Sequence, residues 1–157
     1  KRAIIEQLEK ALEGLPWIAA IDKFQHWIYT NEHNSSQRKE QWLKINKDFG
    51  NQVVDWSGYE SALLNQWQKQ LHLYEVPFYY IEYGMAQLGA IAIWRNYKIN
   101  GQSAIASYKN ALKLGYTKTI SEIYSTAGIN FDFSPRYIKE LADFTSAELN
   151  HVINQKD

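Results

Sequence analysis

The chain has 157 residues, of which 45% are apolar and 22% charged, enough to bury the core of one domain and too apolar for wholesale disorder. Seventeen basic and seventeen acidic side chains cancel, so no global field draws the chain to nucleic acid or to an anionic membrane, and neither is expected as a partner. Cysteine is absent, which excludes disulfides and thiolate metal ligands and makes the cytoplasm the expected compartment.

Three prolines and eight glycines stand mostly where helical periodicity breaks, and no run alternates with period two between turn signals. The expected fold is therefore all-α, with about seven or eight helices. Ile4, Ile5, Leu8, Ala11, Leu12 and Leu15 form one apolar stripe, interrupted by a break or kink at Gly14 to Pro16. Trp17, Ile18, Ile21, Phe24, Trp27 and Ile28 resume it to about Tyr29, as a second helix or as the continuation of the first. Asn34 with Gln37 reads as a capping box for a helix ending near Phe49, and Gly50 suits the left-handed position that follows. Ser57 with Glu60 reads as a second box, opening a helix that runs into Leu71-His72-Leu73. Pro77 marks either the first turn of a new helix or a kink, and the apolar helix from there reaches about Lys98. Val76 to Trp94 has the length of a membrane span but contains Glu82, Gln87 and five Gly or Ala positions, and is read as a buried helix. Further helices follow over Gln102 to Leu114, closed by Gly115, from a box at Thr119 and Glu122 to Gly128, and from the cap Ser134-Pro135 to about Ile153. The last is expected to turn Ile138, Leu141, Ala142, Leu149 and Val152 inward. No repeat or low-complexity linker interrupts residues 1–157, so no internal domain boundary is placed, and no basic and apolar leader opens them.

Six Trp, eleven Tyr and six Phe make the chain 15% aromatic, more than a small helical core needs, and such surfaces call for a neighbour. A P-loop, a dinucleotide-binding glycine fingerprint and a Gly-x-Ser-x-Gly elbow are missing. The four histidines, at 26, 33, 72 and 151, show no metal-ligand pairing, so no metal ligand is assigned in this chain. Chemistry concentrates between His72 and Gly84, where one histidine, four tyrosines and two carboxylates lie together. On a helix starting at Pro77, Tyr79 and Tyr80 are four and three residues from Tyr83 and can share its face. Phenols there are neutral donors to an oxyanion, with His72 in reach. An aromatic core stripe beside a helix-terminal histidine accounts for the same residues, and spacing alone does not choose between the two.

The segment His72-Leu-Tyr-Glu-Val-Pro-Phe-Tyr-Tyr-Ile-Glu-Tyr-Gly-Met-Ala-Gln-Leu-Gly-Ala90 strongly resembles the C-terminal part of the oligoendopeptidase F branch of the M3 metallopeptidases, relatives of thimet oligopeptidase. The likeness extends through Lys10 to Asn31, Asp55 to Trp67, Ser107 to Gly115 and Ala127-Gly128-Ile129 with the helix after it. It implies a large α-helical zinc peptidase with a deep peptide channel, the metal being held by a His-Glu-x-x-His helix and a further glutamate that this chain does not contain and that would precede Lys1. By position in the motif, the family's substrate-holding histidine corresponds to His72, with Tyr79 beside it, and its intermediate-stabilising tyrosines to Tyr80 and Tyr83. The expected partners are then an oligopeptide substrate and the missing N-terminal part of the same enzyme, with zinc in the intact parent and none bound by this fragment. Self-association of the fragment is a further expectation. The rival reading is a stand-alone helical protein-interaction module.

Overall fold

A computed structural model describes residues 1–155. Among them every regular element is helical: α1 (Arg2–Thr30), α2 (Ser35–Phe49), α3 (Glu60–Asn65), a 3-10 turn (Gln66–Lys69), α4 (His72–Glu75), α5 (Ile81–Asn100), α6 (Gln102–Leu114), α7 (Ile120–Thr126) and α8 (Pro135–Asn154). The all-α expectation holds. The chain divides into two compact units, Glu13–Gly84 and Lys1–Leu12 with the residues from Met85 onward.

In the Glu13–Gly84 unit, α1 passes through Pro16 without a break. A proline inside a helix costs about 3 kcal/mol. That cost is offset because the apolar period continues beyond it, burying Ile18, Ala20, Ile21 and Phe24, each worth up to about 1.5–3 kcal/mol for the larger side chains. The capping box at Asn34 forms with both reciprocal bonds, Gln37 N–H to Asn34 Oδ1 at 3.0 Å and Asn34 N–H to Gln37 Oε1 at 2.9 Å. Gly50 does end α2, but with φ −79° rather than in the left-handed region. Glycine is needed there because a Cβ would lie 2.5 Å from the Asn46 carbonyl oxygen.

The box expected at Ser57 does not form. Ser57 gives both its N–H and its hydroxyl to Asp55 Oδ1, at 2.9 and 2.7 Å, while Glu60 accepts from the Gly58 N–H at 3.0 Å. A local aspartate turn outcompetes the cap, and the helix starts at Glu60. The single helix expected from there to Leu73 is three short pieces, α3, the 3-10 turn and α4.

Much of the aromatic excess is absorbed in this unit. Ala20, Ile21, Phe24, Trp42, Ile45, Trp67 and Leu73 form one core, with Trp17, Trp27, Ile28, Phe49 and Tyr80 packed against it. Phe24 lies 5.3 Å from Trp42 and 5.1 Å from Trp67 between ring centroids. The buried Trp42 indole donates to the Leu63 carbonyl at 3.0 Å, which ties α2 to α3 and satisfies its polar tip.

In the other unit, Gly115 closes α6 with φ 54°, Thr119 and Glu122 form the expected capping box, and the Ser134 hydroxyl caps α8. α8 buries Tyr137, Leu141 and Thr145. Ile138, expected inward, is 38% exposed, because the buried stripe runs through 137, 141 and 145 and so leaves 138 on its flank. Trp94 meets Phe144 edge-on at 4.7 Å, and Lys98 pairs with Glu148 at 2.8 Å. Gly89 sits where a Cβ would be 2.6 Å from the Tyr124 hydroxyl. No helix among the described residues is long and apolar enough to cross a membrane.

Candidate functional site

The site is built where α4, the turn after it and the start of α5 follow one another in the Glu13–Gly84 unit. Leu73 is buried in the aromatic core, and this anchors the single turn of α4 and fixes His72 beside it. After Glu75 the chain does not enter a helix at Pro77. The Tyr79 N–H bonds back to Val76 O at 3.2 Å, Phe78 takes φ 62°, and α5 starts at Ile81. A left-handed backbone is costly for a residue with a bulky side chain. It is held by Gln25 of α1, 1% exposed, whose Oε1 accepts the Phe78 N–H at 2.9 Å.

This turn changes the reason the tyrosines meet. Tyr79 and Tyr80 precede α5, so they do not share one helix face with Tyr83 as the spacing predicts. They converge nonetheless, around His72. The centroid of the His72 ring is 4.9 Å from that of Tyr80, 5.5 Å from Tyr83 and 6.4 Å from Tyr79, the last ring nearly parallel to it at 1°. Tyr83 lies 5.4 Å from Tyr80 and 5.6 Å from Tyr79. His72 Nε2 is 3.4 Å from the Tyr83 hydroxyl oxygen. Tyr79 and Tyr83 are nearly half exposed, at 46% and 47%, while Tyr80 packs against the core. The cluster therefore has a buried back and an open front.

Burial pushes the Tyr80 phenol above its ordinary value, the Trp17 indole acting as a hydrogen-bond donor works against that rise, and the neighbouring Tyr83 adds to it. Tyr80 thus stays a neutral hydroxyl through the physiological range, as an uncharged donor must. The front of the cluster presents phenolic O–H groups that can give hydrogen bonds to a ligand oxygen.

Three residues that sequence reasoning missed support these four. Gln25 holds the turn, Gln70 places its Nε2 2.7 Å from His72 Nδ1, and Trp17 donates from Nε1 to Gln70 Oε1 at 3.1 Å. The signal for them was weak, since Trp17 and Gln25 read as members of a helix and Gln70 as a polar residue between helices. On the far side of the turn, Phe78 lies 4.9 Å from the ring of His26 and 5.3 Å from that of Tyr29. His26 Nε2 is 3.6 Å from Asp22 Oδ2, and burial raises the Asp22 carboxyl above its ordinary value while His26 pulls it down. No group of three or more His, Cys, Asp or Glu among the described residues could hold a metal ion.

The fold and the site together define an all-helical protein with a donor-rich cluster of one imidazole and three phenols at the joint of two helices. The model of peptidase family M3 matches residues 2–143, and the chain belongs to that family of metallopeptidases. His72, Tyr79, Tyr80 and Tyr83 all fall inside the matched span. Comparison with curated proteins gave no match, and comparison with solved structures gave none.

Proposed function

We propose that the chain is the C-terminal portion of the catalytic domain of a zinc-dependent metalloendopeptidase of the oligoendopeptidase F type, acting on short peptides in the cytoplasm, and that its part is to grip substrate and the developing oxyanion. The described residues contain no set that fits zinc, so the metal, its ligands and the base are assigned to the part of the enzyme outside this chain.

The observation that carries the reading is the convergence of three phenols on His72 within 6.4 Å, from two elements and a turn, with the front left open. His72 and Tyr79 hold the peptide backbone of the substrate. Tyr83, exposed and with its hydroxyl 3.4 Å from His72 Nε2, gives its hydrogen to the oxygen of the scissile carbonyl as charge develops on it. Tyr80, kept neutral, gives a second donor from the buried side. Donors aimed at a developing oxyanion act selectively on the transition state, and one of them is worth on the order of 100 to 1,000-fold in turnover. In an enzyme carrying the whole catalytic domain, Tyr83→Phe is expected to lower kcat for a quenched fluorescent peptide by that factor with little change in KM. An unchanged kcat would remove Tyr83 from this role.

A further inference from the structure

Trp17 and Gln70 lie outside the segment that carries the tyrosines, and neither is placed to meet a substrate as His72 and Tyr83 are. Their hydrogen bonds nevertheless run in one direction only. The indole Nε1–H can donate and cannot accept. Gln70 must therefore turn its carbonyl oxygen toward Trp17, 3.1 Å away. The orientation of a glutamine amide is assigned from such partners, and here the partner allows one choice. The amide NH2 then faces His72 Nδ1 at 2.7 Å, so Nδ1 must accept. The imidazole proton is left on Nε2, the atom 3.4 Å from the Tyr83 hydroxyl oxygen. That distance is at the long end for a hydrogen bond. The Tyr83 oxygen accepts from His72, and its own hydrogen has to point elsewhere.

We infer that Trp17 and Gln70 are positioning residues that lock His72 as the Nε2–H tautomer and thereby turn the Tyr83 hydroxyl hydrogen outward to the open front of the cluster. The inference rests on the reading of Tyr83 as an oxyanion donor. Without the lock, a tautomer with its proton on Nδ1 would offer a lone pair at Nε2, and the Tyr83 hydrogen would be drawn inward to it. The donor would then face away from the ligand. The second ring nitrogen of a histidine commonly sets the state of the first through its hydrogen-bond partner, and here that partner is itself set by an indole.

The test is a long-range proton–nitrogen NMR spectrum of the 15N-labelled chain, recorded at an alkaline pH where the two ring-nitrogen signals themselves report a neutral imidazole. The His72 Nδ1 signal is expected at the fully unprotonated position in the wild type, whereas an unrestrained imidazole averages two tautomers. Trp17→Phe frees the amide to turn and moves that signal part of the way toward the protonated position. Gln70→Glu, which can only accept at this pH, moves it to the protonated position. A wild-type Nδ1 signal averaged like that of a random-coil histidine overturns the inference even if neither variant folds. So does a folded Gln70→Glu chain whose Nδ1 signal stays put. In an enzyme with the whole catalytic domain, Gln70→Glu is expected to cut kcat about ten-fold with KM within about two-fold. If Tyr83→Phe abolishes turnover while the Nδ1 signal ignores both variants, the lock is wrong and the oxyanion role stands. If the signal responds and Tyr83→Phe is silent, the lock stands and the oxyanion role falls.

Discussion

Phe78 gives the most direct check on how the site is built. Among the described residues it is the one non-glycine with positive φ, at 62°, and it is the pivot that lets Tyr79 and Tyr80 turn back toward His72. Phe78→Ala and Phe78→Gly delete the same ring, and with it the contacts to His26 and Tyr29. Both keep the N–H that Gln25 holds. Their difference in stability therefore isolates the backbone. In an ordinary position Ala is about 0.5–1 kcal/mol better than Gly, because Gly has more chain entropy to lose. In the left-handed region Ala pays about 1–2 kcal/mol that Gly does not. The strain outweighs the entropy, and Phe78→Gly is expected to be more stable than Phe78→Ala by about 0.5–1 kcal/mol, read from urea unfolding midpoints with a common slope. If Phe78→Ala is equal or better, residue 78 does not hold this conformation, and the geometry that gathers the tyrosines fails with it.

Phe24→Ala, in the centre of three tryptophans and with 0% exposure, is expected to cost about 3–5 kcal/mol in chemical denaturation, a large share of the total stability of a domain this size; a loss under about 1 kcal/mol would contradict that packing. Gly89→Ala gains about 1 kcal/mol of helix propensity but forces Tyr124 aside, whose hydroxyl donates to Met85 O at 3.3 Å, for a net loss of about 1 kcal/mol. Adding Tyr124→Phe should recover part of it, and purely additive behaviour would count against the contact. Asp22 has its folded-state pKa raised by burial, so the folded chain binds the proton more tightly and stability falls as pH rises through the window from the unfolded to the folded value. Asp22→Asn is therefore expected to melt higher than the wild type at pH 7, with the gap closing below about pH 4; a gap that persists or reverses sign in acid would refute the assignment.

The helices were readable where the local signals agreed with one another. Asn34 with Gln37, Thr119 with Glu122 and Ser134-Pro135 each combine a capping side chain with an apolar period starting at once, and all three begin helices. Ser57 with Glu60 has the same spacing, yet Asp55, two residues earlier, takes the serine. A two-residue turn forms before any helix has nucleated, so the shorter-range bond wins. At Pro16, of the two readings left open, a second helix or the continuation of the first, it is the continuation that forms. The proline's penalty is local, while the burial that overrides it is spread over Ile18, Ala20, Ile21 and Phe24 against residues far along the chain.

The members of the candidate site were legible as residue types, but the reason they meet was not. Spacing gathers Tyr79, Tyr80 and Tyr83 only on a helix that starts at Pro77, and α5 starts at Ile81. What brings them together comes from α1, through two contacts that each span 53 residues, Trp17 to Gln70 and Gln25 to Phe78. Contacts of that range leave no periodic trace in a sequence. They also give α1 a task beyond filling the core. Trp17 sets the His72 arm and Gln25 sets the turn that carries Tyr79 and Tyr80, and the two stand eight residues apart on one rigid helix, a rise of about 12 Å. Pro16 precedes both anchors. Any bend it introduces falls before Trp17, so the spacing between the two anchors, and with it the spacing between the two arms of the site, is unaffected by the one residue in α1 that works against the helix.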